Sequence, residues 1–336
     1  MKGMKNSIQK ACKFPKTASD NKERKRKHGI FTYIEKKRIK MRDFHIHTCY
    51  SDGTCSPLEM ADKLAEAGVK KAAITDHDSA DAFYEKEFLS EAKKTGTGRF
   101  AYKGMEIHTG AEIDCMFNTE KYPQRKEPIE ILAYGFDENS KELKEYLERI
   151  QAERRERIFR LAEAANTHFG KEIISKDEIL GIKAKTLMKP HVVNRLLEKG
   201  LISEYREGNK ILKDFEKENP ASLNRISPFD AIKLIHNAGG KAFLAHPLVY
   251  TYDSYDLGEV TAIINDLLNK SLDGIELYYP YAFGHRPKYT PEEASDMAKK
   301  LKRLFPDAEY SQGSDSHSVQ DIEALYSAKE LWAKLK

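Results

Sequence analysis

From residue 42 onward the apolar positions of this chain alternate between a period of two and a period near 3.6, the spacings of strands and helices. Residues 42–48 read as a short strand, with Phe44 and Ile46 on one face. Ser56-Pro57-Leu58-Glu59 is a helix start: Ser at the N-cap, Pro at the first helical position, and Glu where a capping box needs it. Leu58, Ala61, Leu64 and Ala65 continue that helix as an apolar stripe, and Gly68 ends it. Strands are predicted at 71–75, 100–107 and 129–134, with a helix over 79–94. Residues 139–169 form one long charged helical stretch closed by Gly170, and 171–225 hold short amphipathic pieces without a convincing strand. Alternation resumes with helices at 228–237, 259–269, 291–304 and 319–335, and strands at 241–245, 274–278 and 308–312. Seven or so strands with intervening helices predict an α/β fold. We read it as a TIM-like βα barrel built from 41–139 and 227–336, interrupted by a small helical domain at 140–226.

Charge divides the chain unevenly. The whole sequence carries +4, yet residues 1–40 alone hold 14 Lys and Arg against Asp20, Glu23 and Glu35, so the remainder is net −7. A segment so basic and so poor in apolar residues cannot bury enough surface to fold by itself. It is expected to be a disordered leader, even sequence upstream of a start at Met41. An arm that attracts nucleic acid is the functional alternative. No apolar run approaches the roughly 18 residues of a membrane span, and no signal-peptide pattern is present. The four cysteines, Cys12, Cys49, Cys55 and Cys115, form no CxxC pair, which speaks against a zinc ribbon or disulfide framework and for the reducing cytoplasm.

Reactive residues fall repeatedly at predicted strand ends, where barrel enzymes gather their chemistry. His45-Ile46-His47 sets two imidazoles on one face, with Ser51-Asp52-Gly53 in the turn that follows. Thr75-Asp76-His77-Asp78, Gly104-Met105-Glu106, His246-Pro247 and Asp315-Ser316-His317 close four further strands. Any one of these is unremarkable, since strand histidines are usually half-buried polar residues. Five converging ends are another matter: packed carboxylates and imidazoles repel or lose solvation unless cations sit among them. Mixed nitrogen and oxygen donors suit Zn²⁺, Mn²⁺ or Fe²⁺. Clustered divalent ions suit phosphoryl displacement, with attack by a metal-bridging hydroxide.

With these residues in hand, the chain resembles the PHP family, the polymerase and histidinol phosphatase domain. The stretches that carry the likeness are His45–Gly53, Ile74–Asp78, Gly104–Glu106, Ile131–Gly135, Ala245–Pro247 and Gly313–His317. The resemblance implies a distorted seven-stranded barrel with a trinuclear site. In it His45, His47, Glu106 and Asp315 would hold one metal, Glu106 would bridge to a second that takes His246, and Asp52, His77 and His317 would hold the third. The branch with a helical insertion is the closer match, and its members act on nucleotides, nucleoside 3′,5′-bisphosphates or the 5′ ends of short RNA.

Within that insertion, Lys189-Pro190-His191 with Arg195 resembles an Arg-Pro-His segment, with Lys189 keeping the charge but losing the bidentate fork. Two departures stand out: Glu130 where relatives usually have His, kept here as a second-metal ligand that tilts the site towards Mn²⁺ or Mg²⁺, and Tyr279 where they often have His. His191 and Arg286 are the candidates to orient the phosphoryl group, and Lys189, Arg195, Tyr50 and Tyr279 the candidate substrate contacts. His108 is a candidate neighbour of Glu106, whereas His168 and His236 read as structural. The expected cofactors are two or three divalent ions, among Mn, Zn, Fe and Mg. The expected partner is a phosphorylated small molecule, nucleotide or short RNA, with neither a membrane nor an obligate protein partner. A histidinol-phosphate-type phosphatase and a non-hydrolytic metal- or nucleotide-binding module are the rival readings.

Overall fold

The computed structural model describes residues 41–118, 120–125, 127–219, 223–252, 254–281 and 288–327; the basic leader and Arg286 lie outside them. The first strand, β1 (Arg42–Asp43), leads through the extended segment to His47 into α1 (Pro57–Ala67). That helix has the capping box read from sequence, Ser56 with Glu59, and ends at Gly68 with φ 86°. β2 (Lys71–Ala73) follows.

The stretch predicted as a helix over 79–94 is broken into a 3₁₀ turn (Asp81–Tyr84), the short α2 (Lys86–Glu91) and the start of β3 (Lys93–Gly96). The single strand predicted over 100–107 is a hairpin, β4 (Arg99–Tyr102) and β5 (Met105–His108). Its turn residues Lys103 and Gly104 both have positive φ, 44° and 75°, the conformation of a tight two-residue hairpin turn. β6 (Gly110–Cys115), which the hydrophobic pattern did not reveal, precedes β7 (Ile129–Tyr134).

Four helices follow between 141 and 218: α3 (Lys141–Phe169), α4 (Lys176–Leu180), α5 (Lys189–Glu198) and α6 (Tyr205–Glu218). The chain then returns through α7 (Pro228–Asn237), β8 (Lys241–Leu244), α8 (Leu257–Leu268), β9 (Gly274–Tyr278), α9 (Pro291–Leu304), β10 (Glu309–Gln312) and α10 (Val319–Ser327).

The fold is mixed α/β with two five-stranded sheets, ordered β1-β2-β5-β4-β3 and β10-β9-β8-β7-β6. β1, β2 and β5 are mutually parallel, as are β8, β9 and β10. β7 runs antiparallel to both β6 and β8, so strict βα alternation fails in the middle of the chain. The sheets touch along two seams. His47 N donates to Ser316 O (2.9 Å) and Asp315 N to His45 O (2.9 Å), while Asp78 N donates to Glu112 O (2.8 Å) and Glu112 N to Asp76 O (3.1 Å).

Apolar faces of both sheets and their covering helices share one core that contains Ile46, Ile74, Phe100, Ile113, Ile131, Leu244 and Ile275. α3 straddles two cores. Its first half gives Leu143, Leu147 and Ile150 to this one, and its second half gives Ile158, Leu161 and Ala165 to a separate cluster with Val192, Val193, Leu196 and Leu212. No helix among the described residues is long and apolar enough to cross a membrane.

Candidate metal centre

Both seams end in histidines and carboxylates. His45 and His47 project from the extension of β1 and are fully buried. Their Nε2 atoms stand 3.1 Å apart, a hydrogen-bond distance when one of the two nitrogens carries a proton. The group between them is Glu112, from the middle of β6. Its Oε2 lies 3.2 Å from His45 Nε2, 3.3 Å from His47 Nε2 and 3.2 Å from His77 Nδ1, and its Oε1 lies 3.1 Å from His246 Nε2. One buried carboxylate therefore meets four imidazoles carried by three different segments.

Asp315 closes one side, with Oδ1 3.0 Å from His47 Nε2 and 3.5 Å from His45 Nε2. Glu130 closes another, 3.3 Å from His246 Nε2. Asp52 sits on a third side, 3.4 Å from His317 Nε2 and 4.0 Å from both His47 and His77.

Local backbone geometry makes these approaches possible. Asp315 and Asp78 adopt left-handed φ of 54° and 43°, a conformation that aspartate tolerates better than most residues. A Cβ at Gly313 would fall 2.0 Å from Glu276 Oε1 and 2.2 Å from His45 Cβ, so only glycine fits there. Three buried carboxylates outside the predicted set hold the ligands in place. Glu276, fully buried on β9, places both oxygens 3.1 Å from His45 Nδ1 and accepts from His246 N at 3.0 Å. Asp76 accepts from Thr48 N (2.7 Å), Thr48 Oγ1 (2.7 Å) and Ser51 Oγ (2.6 Å), fixing the loop that carries Asp52. Asp43 accepts from Ser314 N (2.9 Å) and from the Tyr326 hydroxyl (2.8 Å), tying the Asp315 loop to β1.

The electrostatics describe a centre whose carboxylates hold positive charge on the imidazoles. Burial alone would press the His47 and His246 imidazolium forms down. Hydrogen bonds and charge from Asp315 and Glu112 outweigh it for His47, lifting it to about 10, and Glu112 with Glu130 lifts His246 to about 9. Burial opposes ionisation of Glu112, but His45 and His77 hold it well below the usual carboxylate range. Asp52 and Asp315 are lowered in the same way. Glu130 is the exception: burial, then repulsion from Glu112, pushes it up to about 8.

Among the described residues, donor atoms gather within 4.8 Å of one another in four groups: His45-His47-Asp315, His45-Glu112-His246, His47-Asp52-His77-His317, and His77-Asp114-Glu130. Asp52 Oδ1, His77 Nδ1 and Asp114 Oδ1 are buried without a hydrogen-bond partner. Nitrogen and carboxylate donors in such groups, with orphaned buried atoms among them, fit divalent ions.

Eight of the nine predicted ligands converge here: His45, His47, Asp52, His77, Glu130, His246, Asp315 and His317. Glu106 does not. It pairs with Lys71 at the start of β2, six residues before His77, which lies beyond that strand's far end. Its Oε1 is bound to Lys71 Nζ (2.7 Å) and His108 Nε2 (2.7 Å). Gly104-Met105-Glu106 begins a hairpin strand instead of ending a barrel strand, and Glu112 occupies the place expected of Glu106. The alternation in Gly-Ala-Glu-Ile-Asp-Cys, with Glu112 and Asp114 on one face, is the sequence signal that could have found it.

The candidate substrate contacts are mostly committed within the protein. Tyr279 donates to Asp315 Oδ2 at 2.8 Å. Lys189 Nζ lies 2.6 Å from Glu216, and Arg195 pairs with Glu198 at 2.6 Å. His191 Nδ1 accepts from Met188 N at 2.9 Å, at the start of α5, and burial lowers its pKa. Tyr50 is half-buried, and its carbonyl accepts from Lys185 N and Thr186 N, joining the Asp52 loop to the helical segment. His236, expected to be structural, bonds Asp273 at 2.7 Å.

A family model for the PHP domain matches residues 43–311. Over 246 residues the chain is 27% identical to the phosphoribosyl 1,2-cyclic phosphate 1,2-diphosphodiesterase of Eggerthella lenta, covering 71% of this chain and 83% of that protein. It is 24% identical over 298 residues to the 5′-3′ exoribonuclease Rnm of Escherichia coli, covering 86% and 89%. Among solved structures, one described as a metal-dependent phosphoesterase of Bifidobacterium adolescentis superimposes with a TM-score of 0.63 at 20% identity, over 83% of this chain and 88% of that one. That last likeness is one of fold.

Proposed function

Because the chain belongs to the PHP domain family, we propose that this phosphoric ester hydrolase cleaves a phosphomonoester or terminal phosphodiester of a nucleotide, a nucleoside 3′,5′-bisphosphate or a short RNA. The observation that carries the reading is Glu112, a buried carboxylate met by four imidazoles and ringed by Asp52, Glu130, Asp315 and His317. The related diphosphodiesterase and exoribonuclease both have phosphodiester substrates by name, which supports the same class of bond here.

In this reading two or three divalent ions occupy the centre. His45, His47, Glu112 and Asp315 would hold one, Glu112, His246 and Glu130 a second, and Asp52, His77 and His317 a third. The extra carboxylate at Glu130 favours Mn²⁺ or Mg²⁺ at the second position, while the imidazole-rich remainder accepts Mn²⁺, Zn²⁺ or Fe²⁺. Bound there, the ions would supply Lewis acidity towards phosphoryl oxygens and lower the pKa of a water. The protein's own part is orientation. Glu276 fixes the tautomer of His45 by accepting a hydrogen bond from its Nδ1–H, and Tyr279 holds Asp315 by one oxygen so that the other faces the histidines. His191, whose pKa burial lowers, lies beside Ser51 and Asp52 and is the candidate to orient substrate.

We read the two sheets as one distorted seven-stranded barrel, β1-β2-β6-β7-β8-β9-β10, a reading supported by the two seams, with 140–226 as an inserted helical domain supported by its own apolar cluster. Free Cys49, Cys55 and Cys115 suit a cytoplasmic setting.

The test is metal content together with turnover on AMP, adenosine 3′,5′-bisphosphate, a 5′-phosphorylated short RNA and histidinol phosphate, with Mn²⁺ and with chelator. Chelator-sensitive release from a nucleotide or RNA is the expected result. Release from histidinol phosphate alone would replace it with the small-molecule phosphatase, and bound metal without turnover would replace it with the binding module.

A further inference from the structure

Arg154 lies on α3, in the helical segment, yet it is 2% exposed and reaches the metal centre's framework. Its guanidinium bonds Asp78 Oδ2 through Nε (2.8 Å) and Nη2 (2.6 Å), and Nη2 also meets Asp114 Oδ2 at 2.5 Å. Asp78 is the residue after His77. Its carbonyl accepts from Gln151 Nε2 (3.0 Å) and Thr186 Oγ1 (3.3 Å), both from the helical segment, and its Oδ1 accepts from Asp114 N (3.2 Å). Asp114 shares its Oδ2 with Arg154 and, at 3.4 Å, with Arg225 Nε. Its other oxygen, Oδ1, is buried, has no hydrogen-bond partner, and lies 3.8 Å from His77 Nδ1.

A buried Arg–carboxylate trio is poor evidence for stability, because packed apolar side chains of similar volume would serve as well. What such a trio does well is fix orientation. His77 Nε2 lies 4.0 Å from Asp52 Oδ1, while Nδ1 lies 3.2 Å from Glu112 Oε2 and 3.8 Å from Asp114 Oδ1. A histidine that binds an ion through one nitrogen donates its other N–H to a carboxylate, and that partner sets ring angle and tautomer. Glu112 is already shared among three other imidazoles. Asp114 has the free oxygen.

We propose that Arg154 and Asp114 are positioning residues: Arg154 locks Asp114 against His77, so that Nδ1 carries the proton and Nε2 is presented to the Asp52–His317 position. The helical segment thereby sets the occupancy of that one position. The proposal rests on the metal-centre reading above.

The decisive variant is Asp114→Asn, nearly isosteric and able to keep an acceptor towards Arg154, with Arg154→Lys as the second and Arg149→Ala, an exposed residue on the same helix, as control. Each is titrated with Mn²⁺ and counted by elemental analysis, and its Co²⁺-substituted form is followed by visible absorption. We expect D114N and R154K to keep the wild-type fold and all tight ions but one. The weakest-bound ion should lose at least about tenfold in affinity, with a changed Co²⁺ spectrum, a lower kcat, an unchanged KM and partial rescue by excess Mn²⁺. A D114N protein that binds every ion as the wild type does, with an unchanged Co²⁺ spectrum, overturns the proposal. A wild-type protein that binds no divalent ion overturns the metal-centre reading itself, a separate result visible before any variant is made.

Discussion

Glu112 and Glu106 are the same residue type six positions apart, and their surroundings give them opposite roles. Glu112 has no solvent and four imidazoles around it; Glu106 is 37% exposed and neutralised by one lysine. Replacing Glu112 by Gln removes a charge that three or more cationic groups share, so kcat should fall by about 10³-fold or more, and bound metal with it. Glu106→Gln should stay within about twofold in both, because a half-exposed ion pair contributes little. Metal analysis and steady-state kinetics on the two variants decide it; equal losses in both would return the bridging role to Glu106. The other residues of the centre were legible because His45-x-His47, His246-Pro247 and Asp315-x-His317 are compact motifs at the ends of predicted strands. Glu112 was not, because Glu and Asp inside an apolar strand read as surface alternation until the fold buries both faces. Glu276 and Asp76 were hidden for the same reason: a carboxylate that serves by orienting a histidine or a loop leaves no spacing of its own in the sequence.

Helices with caps were the easiest elements to read, since Ser56 with Glu59 and the terminal Gly68 are local chemistry. The region from 79 to 115 was the hardest. Its short strands depend on the pairing of β5 with β2, on which β4 and then β3 are added, and no local signal contains that pairing. Within the helical segment, Glu216 on α6 joins Arg157 on α3 and Lys189 on α5, so that one carboxylate fastens three helices. Burial opposes its ionisation, yet Lys189 and Arg157 outweigh burial and lower its pKa. A lowered carboxylate gives stability that is present above its unfolded pKa near 4.5 and is lost as pH falls through the folded value. Glu216→Gln should therefore cost about 1 kcal/mol at pH 7 and approach zero cost near pH 3, read from urea midpoints of the two proteins. A cost that is the same at both pH values would show that the cluster acts through packing and not through charge.

At the scale of the whole molecule, the proposed metal centre would couple folding to ion binding. Without ions the imidazoles must carry protons to offset their carboxylates, and His47 at about 10, His246 at about 9 and Glu130 at about 8 all bind protons more tightly folded than unfolded. The sign is common to all three. The folded state holds more protons, so the stability they supply is complete at low pH and is lost as pH rises: Glu130 begins to contribute a loss above about 4.5, the histidines above about 6.5, and the loss runs to the folded values near 8–10. Divalent ions reverse that dependence, because each ion displaces protons and binds more tightly as pH rises. Chelated protein should thus show a melting temperature that declines between pH 6.5 and 9.5, while protein at one fixed Mn²⁺ concentration, about 100 times Kd at pH 6.5, should gain about 2.7 kcal/mol there, roughly 5 °C or more, with the gain widening as pH rises. Thermal scans at four pH values, with and without chelator, measure both curves. A constant gap between them would mean that binding displaces no protons, and that the histidines are neutral in the ion-free protein despite the carboxylates packed against them.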